Sequence, residues 1–92
     1  MLYMTVTYDD DNLAKHKVSH DEVDEVMDAD LRVDVELLPS RRGNQRIMLI
    51  AFTLQGRLLE AGIEFFPERD HVFHADDASK QYKAEFERSI KQ

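Results

Sequence analysis

The spacing of apolar residues changes several times along this chain, and each change marks an element. Leu2, Met4, Val6 and Tyr8 alternate with Tyr3, Thr5 and Thr7, a period of two that predicts a first strand. Asp9, Asp10 and Asp11 follow. Carboxylates suit a helix N-terminus, so a short helix is expected through residues 12–16. Ser19 then fits an N-cap with Glu22 three residues on, a capping box, and Val18 and Val23 take the positions of a hydrophobic staple. Val23, Val26 and Met27 share one face of the helix so started, expected to run to about Ala29. Asp21, Asp24, Glu25 and Asp28 share the other.

From Leu31 the period returns to two. Leu31, Val33, Val35 and Leu37 alternate with Arg32, Asp34, Glu36 and Leu38, as in a half-buried antiparallel strand. Residues 39–45 read as a loop. Residues 47–52 are continuously apolar and predict a strand covered on both faces. Gln55-Gly56 marks a tight turn, and Leu59, Ala61, Ile63 and Phe65 alternate with Leu58, Glu60, Gly62 and Glu64 in the next strand. Residues 67–70 turn the chain into a short last strand, His71–His74. Asp76 or Asp77 is expected to cap a final helix in which Ala78, Tyr82, Phe86 and Ile90 form one apolar stripe. The fold class is therefore α+β, in the order β-α-α-β-β-β-β-α: a mainly antiparallel sheet packed by helices. No repeat or linker interrupts residues 1–92, so one domain is expected.

Charge adds an asymmetry. The net charge is -7, and residues 1–30 hold nine acids against Lys15 and Lys17, while ten acids and ten basic residues cancel in the remainder. An acidic domain repels phosphate at long range, which weighs against broad nucleic-acid binding and points to a solvated helix face or to a basic partner. There is no cysteine, so no disulfide or thiolate metal site is available. No apolar run is long enough to span a membrane, and the opening residues lack a signal-peptide pattern. A cytoplasmic protein with no membrane association is the expectation. Metal binding is not expected either. His16 and His20 straddle a helix break, and His71 and His74, three apart on an extended segment, point to opposite faces.

The opening motif and the element order together resemble the BrnT family of bacterial type II toxins. The motif is Tyr8, Asp10 and Asn12, then Lys15-His16 and Lys17-Val18-Ser19, with Lys17 where that family usually has glycine. Arg46 fits the family's arginine leading a strand, and Gly56-Arg57 its Gly-Arg opening the next. Ala75, Ala78 and Ser79 keep its small residues before the last helix. Asp76 stands where the family carries arginine, and Phe86 where it carries tyrosine.

The resemblance implies a RelE-like fold, metal-independent endoribonuclease activity without a cofactor, and neutralisation by a cognate antitoxin. Such chemistry needs cations for a pentavalent phosphate and groups that move protons. His16, Arg57 and His74 are the catalytic candidates under that reading; Lys15, Arg46, Lys80 and Lys83 are the RNA or phosphate ligands. Arg46 and Arg57 flank one hairpin and are expected within reach of each other. Each has a plainer role open to it: Lys15 and His16 as helix termination, the arginines as solvated strand ends, and His74 in a local hydrogen bond with a nearby aspartate. Arg41-Arg42, the adjacent basic pair, is a solvated loop or a contact for phosphate or an acidic segment. Asp76 and the acidic first third favour an alternative, a catalytically inactive homologue acting as a protein-interaction module. Exposed edge strands would allow a homo-oligomer or strand addition by a partner.

Overall fold

The structure, a computed structural model, describes residues 5–91. Eight elements follow in chain order: β1 (Thr5–Tyr8), α1 (Asp10–Lys15), α2 (His20–Met27), β2 (Arg32–Leu37), β3 (Arg46–Phe52), β4 (Leu58–Phe65), β5 (Arg69–Asp77) and α3 (Lys80–Ile90). The expected strand at Leu2, Tyr3 and Met4 lies outside the described residues. The five strands form one sheet in the order β1-β5-β4-β3-β2. Three of the pairings are antiparallel; β1 lies parallel to β5, with Thr5 opposite Arg69 and Tyr8 opposite Val72.

Local signals set the helices. Asp9 caps α1 by accepting the Asn12 N–H, and Ser19 and Glu22 close the capping box that starts α2. Helix α1 ends in a Schellman turn: Val18 N–H reaches Leu13 O and Lys17 N–H reaches Ala14 O. That turn requires a left-handed residue, and Lys17 supplies it at φ 57°. Leu13 and Val18, the apolar pair that accompanies such a turn, are both buried.

The sheet is covered on both faces. Leu49, Ala51, Leu59, Ala61, Val72 and Ala75 meet Leu13, Val18, Val23 and Val26 of the α1–α2 side in one continuous core. Met48 and Ile50 alternate with that set and so face the other way, where α3 packs on β2 and β3 and buries Phe86. Strand β3 is thus buried throughout its middle, as its unbroken apolar run predicts. The β2 edge carries Arg32, Asp34 and Glu36, charges that discourage another strand from pairing there.

Two expectations fail in β5. The strand runs on to Asp77, so the α3 cap is Ser79, which accepts the Tyr82 N–H; Asp76 and Asp77 are strand residues. A bulge also interrupts the β4–β5 ladder: Gly62 opposes His74 while Ile63 opposes Val72. The extra residue, Phe73, flips the side-chain alternation. His71 and His74 therefore oppose Glu64 and Gly62, two residues apart, and lie on the same face of the sheet, not on opposite faces. Gly62 makes the bulge possible, because a Cβ there would approach the Phe73 ring to 2.6 Å.

Candidate functional site

Strand β1 covers only the first part of β5, from Arg69 to Val72. Beyond it α1 takes over the edge, and this handover builds a polar cluster around three of the seven candidate residues, His16, Arg57 and His74. Asn12 acts as a substitute strand: its Oδ1 accepts the Ala75 N–H at 3.0 Å, which would otherwise be left unpaired. With Oδ1 so engaged, Asn12 Nδ2 must be the donor to His74 Nδ1, 3.3 Å away. The ring proton of His74 is thereby assigned to Nε2, which donates to Glu60 Oε2 at 2.9 Å. Glu60 is 7% exposed, and its other oxygen accepts the Ser79 N–H at 2.7 Å. Both nitrogens of His74 are thus consumed in tying α1, β4 and the start of α3 together.

His16 sits at the C-cap of α1 with its ring edge-on to His74, centroids 5.5 Å apart. Its Nδ1 lies 3.1 Å from Asp76 Oδ2, and its Nε2 takes no protein partner among the described residues. The chain thus brings two of its candidates, His16 and His74, into contact from opposite ends of the sequence. It adds Asn12, Glu60 and Asp76, whose roles the sequence did not reveal. Glu60 gives no signal because an alternating strand normally turns such a residue to water; here the second face is covered too.

Arg57 joins this cluster from the β3–β4 turn, as a clamp. Its Nε donates to Asp77 Oδ1 at 2.7 Å, Nη1 to Lys17 O at 2.8 Å and to Glu22 Oε2 at 3.2 Å, and Nη2 to His16 O at 3.2 Å. Four of the five guanidinium N–H groups are engaged. The carbonyls it holds are those left open at the end of α1, where a cation also answers the helix dipole. The Asp77 hydrogen bond, with Glu22 in support, raises the Arg57 pKa further; burial opposes this. Glu22 is held below the usual carboxylate range, first by the Ser19 backbone N–H and then by Arg57, against desolvation.

The other cations do not converge on this spot. Arg46 pairs across from Glu64 at the open end of the β3–β4 hairpin, while Phe52 and Leu58 close the turn end beside Arg57. Six residue steps separate those ends, about 20 Å of strand, so the two arginines are not within reach of each other. Arg46 donates to Leu38 O and lies over the Phe73 ring. Arg42 makes a forked pair with buried Glu64, at 2.9 and 3.2 Å, and Asn44 adds a third bond at 2.9 Å. Arg42 chiefly, with Asn44 in support, draws the Glu64 carboxyl down to about 2 against the desolvation that resists it. Lys15, Lys80 and Lys83 are exposed and make no ion pair among the described residues; Lys83 faces a crevice floored by Phe86. Among the described residues six of the seven arginines hold a carboxylate, a carbonyl or an aromatic ring, and Arg41 is the exception.

A contrasting surface lies on the far side of α2. Asp21, Asp24, Glu25 and Asp28 line a groove of about 600 Å³ with Phe52 and Leu54. Beside it, Tyr8 donates to Asp24 and stacks on His20 at 3.8 Å. Burial first, then the Asp24 carboxylate, pushes the Tyr8 hydroxyl up to about 12. Among the described residues no helix is long and apolar enough to cross a membrane, and no group of three His, Asp or Glu side chains is placed to hold a metal ion. Compared with known proteins, the chain matches no family model and no curated relative.

Proposed function

We propose that this chain is a BrnT-like toxin-family protein that acts as a protein-interaction module, with the cations of a nuclease site absorbed into its framework. The saturation of Arg57 carries this reading. A phosphodiester reaching for that guanidinium would have to displace two carboxylates and two backbone carbonyls. It would also meet Asp76, paired with neighbouring His16, in a chain of net charge -7. Support for the scaffold comes from Lys17. The resembled family has glycine at this position, and here the backbone is left-handed, the conformation glycine tolerates best. Asn12 supports it as well, since an asparagine at that point has the specific task of closing the β5 edge.

The partner suggested by the resemblance is a cognate antitoxin-like protein. The test is to mix the purified chain with the product of the adjacent reading frame and measure the mass in solution by light scattering. A defined complex is expected, together with intact RNA after prolonged incubation with the chain alone. Cleaved RNA and no complex overturn the proposal.

A second reading, endoribonuclease, is favoured by one observation: His16 meets His74 with its Nε2 open among the described residues, next in sequence to exposed Lys15. In that reading His16 moves the proton, His74 and Asp76 position it, Arg57 holds its backbone, and Lys15, Lys80 or Lys83 supplies charge to the phosphate. Cleavage that disappears in His16→Ala while the fold persists supports this second reading over the first.

A further inference from the structure

We infer that the acid-rimmed groove between α2 and the β3–β4 turn receives a basic amphipathic helix of the protein partner; this rests on the interaction reading above and assigns it a surface. The floor of the groove is apolar and exposed. Leu54 at the turn is 88% exposed and Phe52 48%. Phe52 also borders a second crevice of about 360 Å³, lined by Leu58, Phe86 and Ile90, so an apolar track runs from Leu54 across Phe52 to Ile90. An apolar track of this kind is the surface on which an amphipathic helix lays its apolar face.

The exposure of Leu54 is built in. Glu25 Oε1 accepts the Leu54 N–H at 2.9 Å, tying the turn to α2. Thr53 N–H bonds Arg57 O, and the Arg57 N–H bonds Thr53 Oγ1, so the turn is closed on both sides. These bonds hold Leu54 beside Phe52, so the two exposed side chains belong to one apolar surface and not to scattered positions.

Charge selects the occupant. Asp21, Asp24, Glu25, Asp28 and Asp30 line the groove, and no basic residue does. Three of these acids lie at the C-terminal half of α2, where the helix dipole disfavours them and no basic residue occupies the last turn. A cationic segment would relieve both the mutual repulsion and the dipole mismatch. Nucleic acid is repelled by this rim, and a second copy of the chain would bring the same acids against it. A lysine- or arginine-bearing helix with an apolar stripe satisfies both the floor and the rim.

The test titrates fluorescently labelled peptides into the intact chain and two variants, Leu54→Ser and the double substitution Asp21→Lys/Asp28→Lys. The peptides are a leucine–lysine amphipathic helix, a scramble of the same composition, and a leucine–glutamate version. Only the first is expected to bind well, about tenfold more weakly to each variant, and to weaken with salt. Equal binding by parent and variants, or by helix and scramble, overturns the groove assignment. The same variants are then titrated with the product of the adjacent reading frame. A complex unaffected by both variants places the partner elsewhere and overturns the groove alone; no complex even with the parent chain overturns the interaction reading itself.

Discussion

The junction around Arg57 and the outer face of α2 lie on the same helix and treat charge in opposite ways. Glu22, on the inner side, shares its carboxylate between the Ser19 N–H and Arg57. On the opposite face, Asp21, Asp24, Glu25 and Asp28 crowd together with no basic side chain in their groove. At the junction charge is spent on holding three segments together: the end of α1, the start of α2 and the end of β5. On the outer face the acids take only neutral donors, Tyr8 on Asp24 and the Leu54 N–H on Glu25, and no cation, beside exposed leucine and phenylalanine. An arginine or histidine whose donors are committed to the framework offers a ligand little, whatever its position in the sequence resembles. The carboxylates open to a cationic partner are the ones that the fold has left without a cation of its own.

Removing the clamp breaks the comparison most severely. Arg57→Ala leaves Glu22, Asp77 and two helix-end carbonyls without their donor and is expected to cost about 2–3 kcal/mol in chemical denaturation. Arg57→Lys should recover little, since an ammonium cannot reach all four acceptors at once. An Arg57→Ala protein as stable as the parent would mean that the junction is not spending its charge on structure.

The open end of the sheet supplies a pH test of the same idea. The Glu64 carboxyl is lowered from its ordinary 4.5 to about 2, so the folded state binds its proton less readily than the unfolded chain. Its contribution to stability is full above the ordinary value and is lost as pH falls through the window from about 4.5 to about 2. Arg42→Ala, which removes the main cause of that lowering, should move the acid-unfolding midpoint to higher pH. An unchanged midpoint would show that the fork does not hold Glu64 ionised.

Asn12→Ala is expected to cost about 1–2 kcal/mol, because the Ala75 N–H and His74 Nδ1 lose their partner together. Hydrogen exchange at the Ala75 amide should quicken as well. Lys17→Gly should act in the other direction, stabilising by about 1 kcal/mol by removing the strain of a left-handed lysine. A destabilising result there would show that the Lys17 side chain makes a contribution larger than the backbone relief. Smallest of all, Asp28→Lys should stabilise by about 0.5 kcal/mol in thermal melts, since it replaces an anion with a cation at the C-cap of α2. A loss on that substitution would remove the claim that the acidic face is held against local preference.

Most of the elements were legible because their signals are local. Ser19 and Glu22 announce α2, the alternation at Val33, Val35 and Leu37 gives a half-buried strand, and the apolar run over residues 47–52 gives one buried on both sides. What failed depended on residues far apart in the chain. No local pattern tells Thr5–Tyr8 that its neighbour is Arg69–Val72, and that parallel pairing is what leaves the β5 edge for Asn12 to close. The bulge at Phe73 inverts the side-chain parity of everything after it, so the face taken by His74 and Asp76 could not be counted from His71. The extension of β5 through Asp77 likewise turned two candidate cap residues into strand residues facing His16 and Arg57. His16 and His74 were found as residue types suited to proton transfer, but their meeting, and the exhaustion of His74 by Asn12 and Glu60, belong to the tertiary structure alone.

The most direct measurement incubates the purified chain with RNA over a range of pH and follows cleavage by gel, with His16→Ala alongside. If the cations are committed to the framework, the RNA stays intact with both proteins and the two gels are indistinguishable. Cleavage by the parent chain that is lost in a folded His16→Ala protein would contradict the account and return the His16–His74 contact to the centre of the molecule's chemistry.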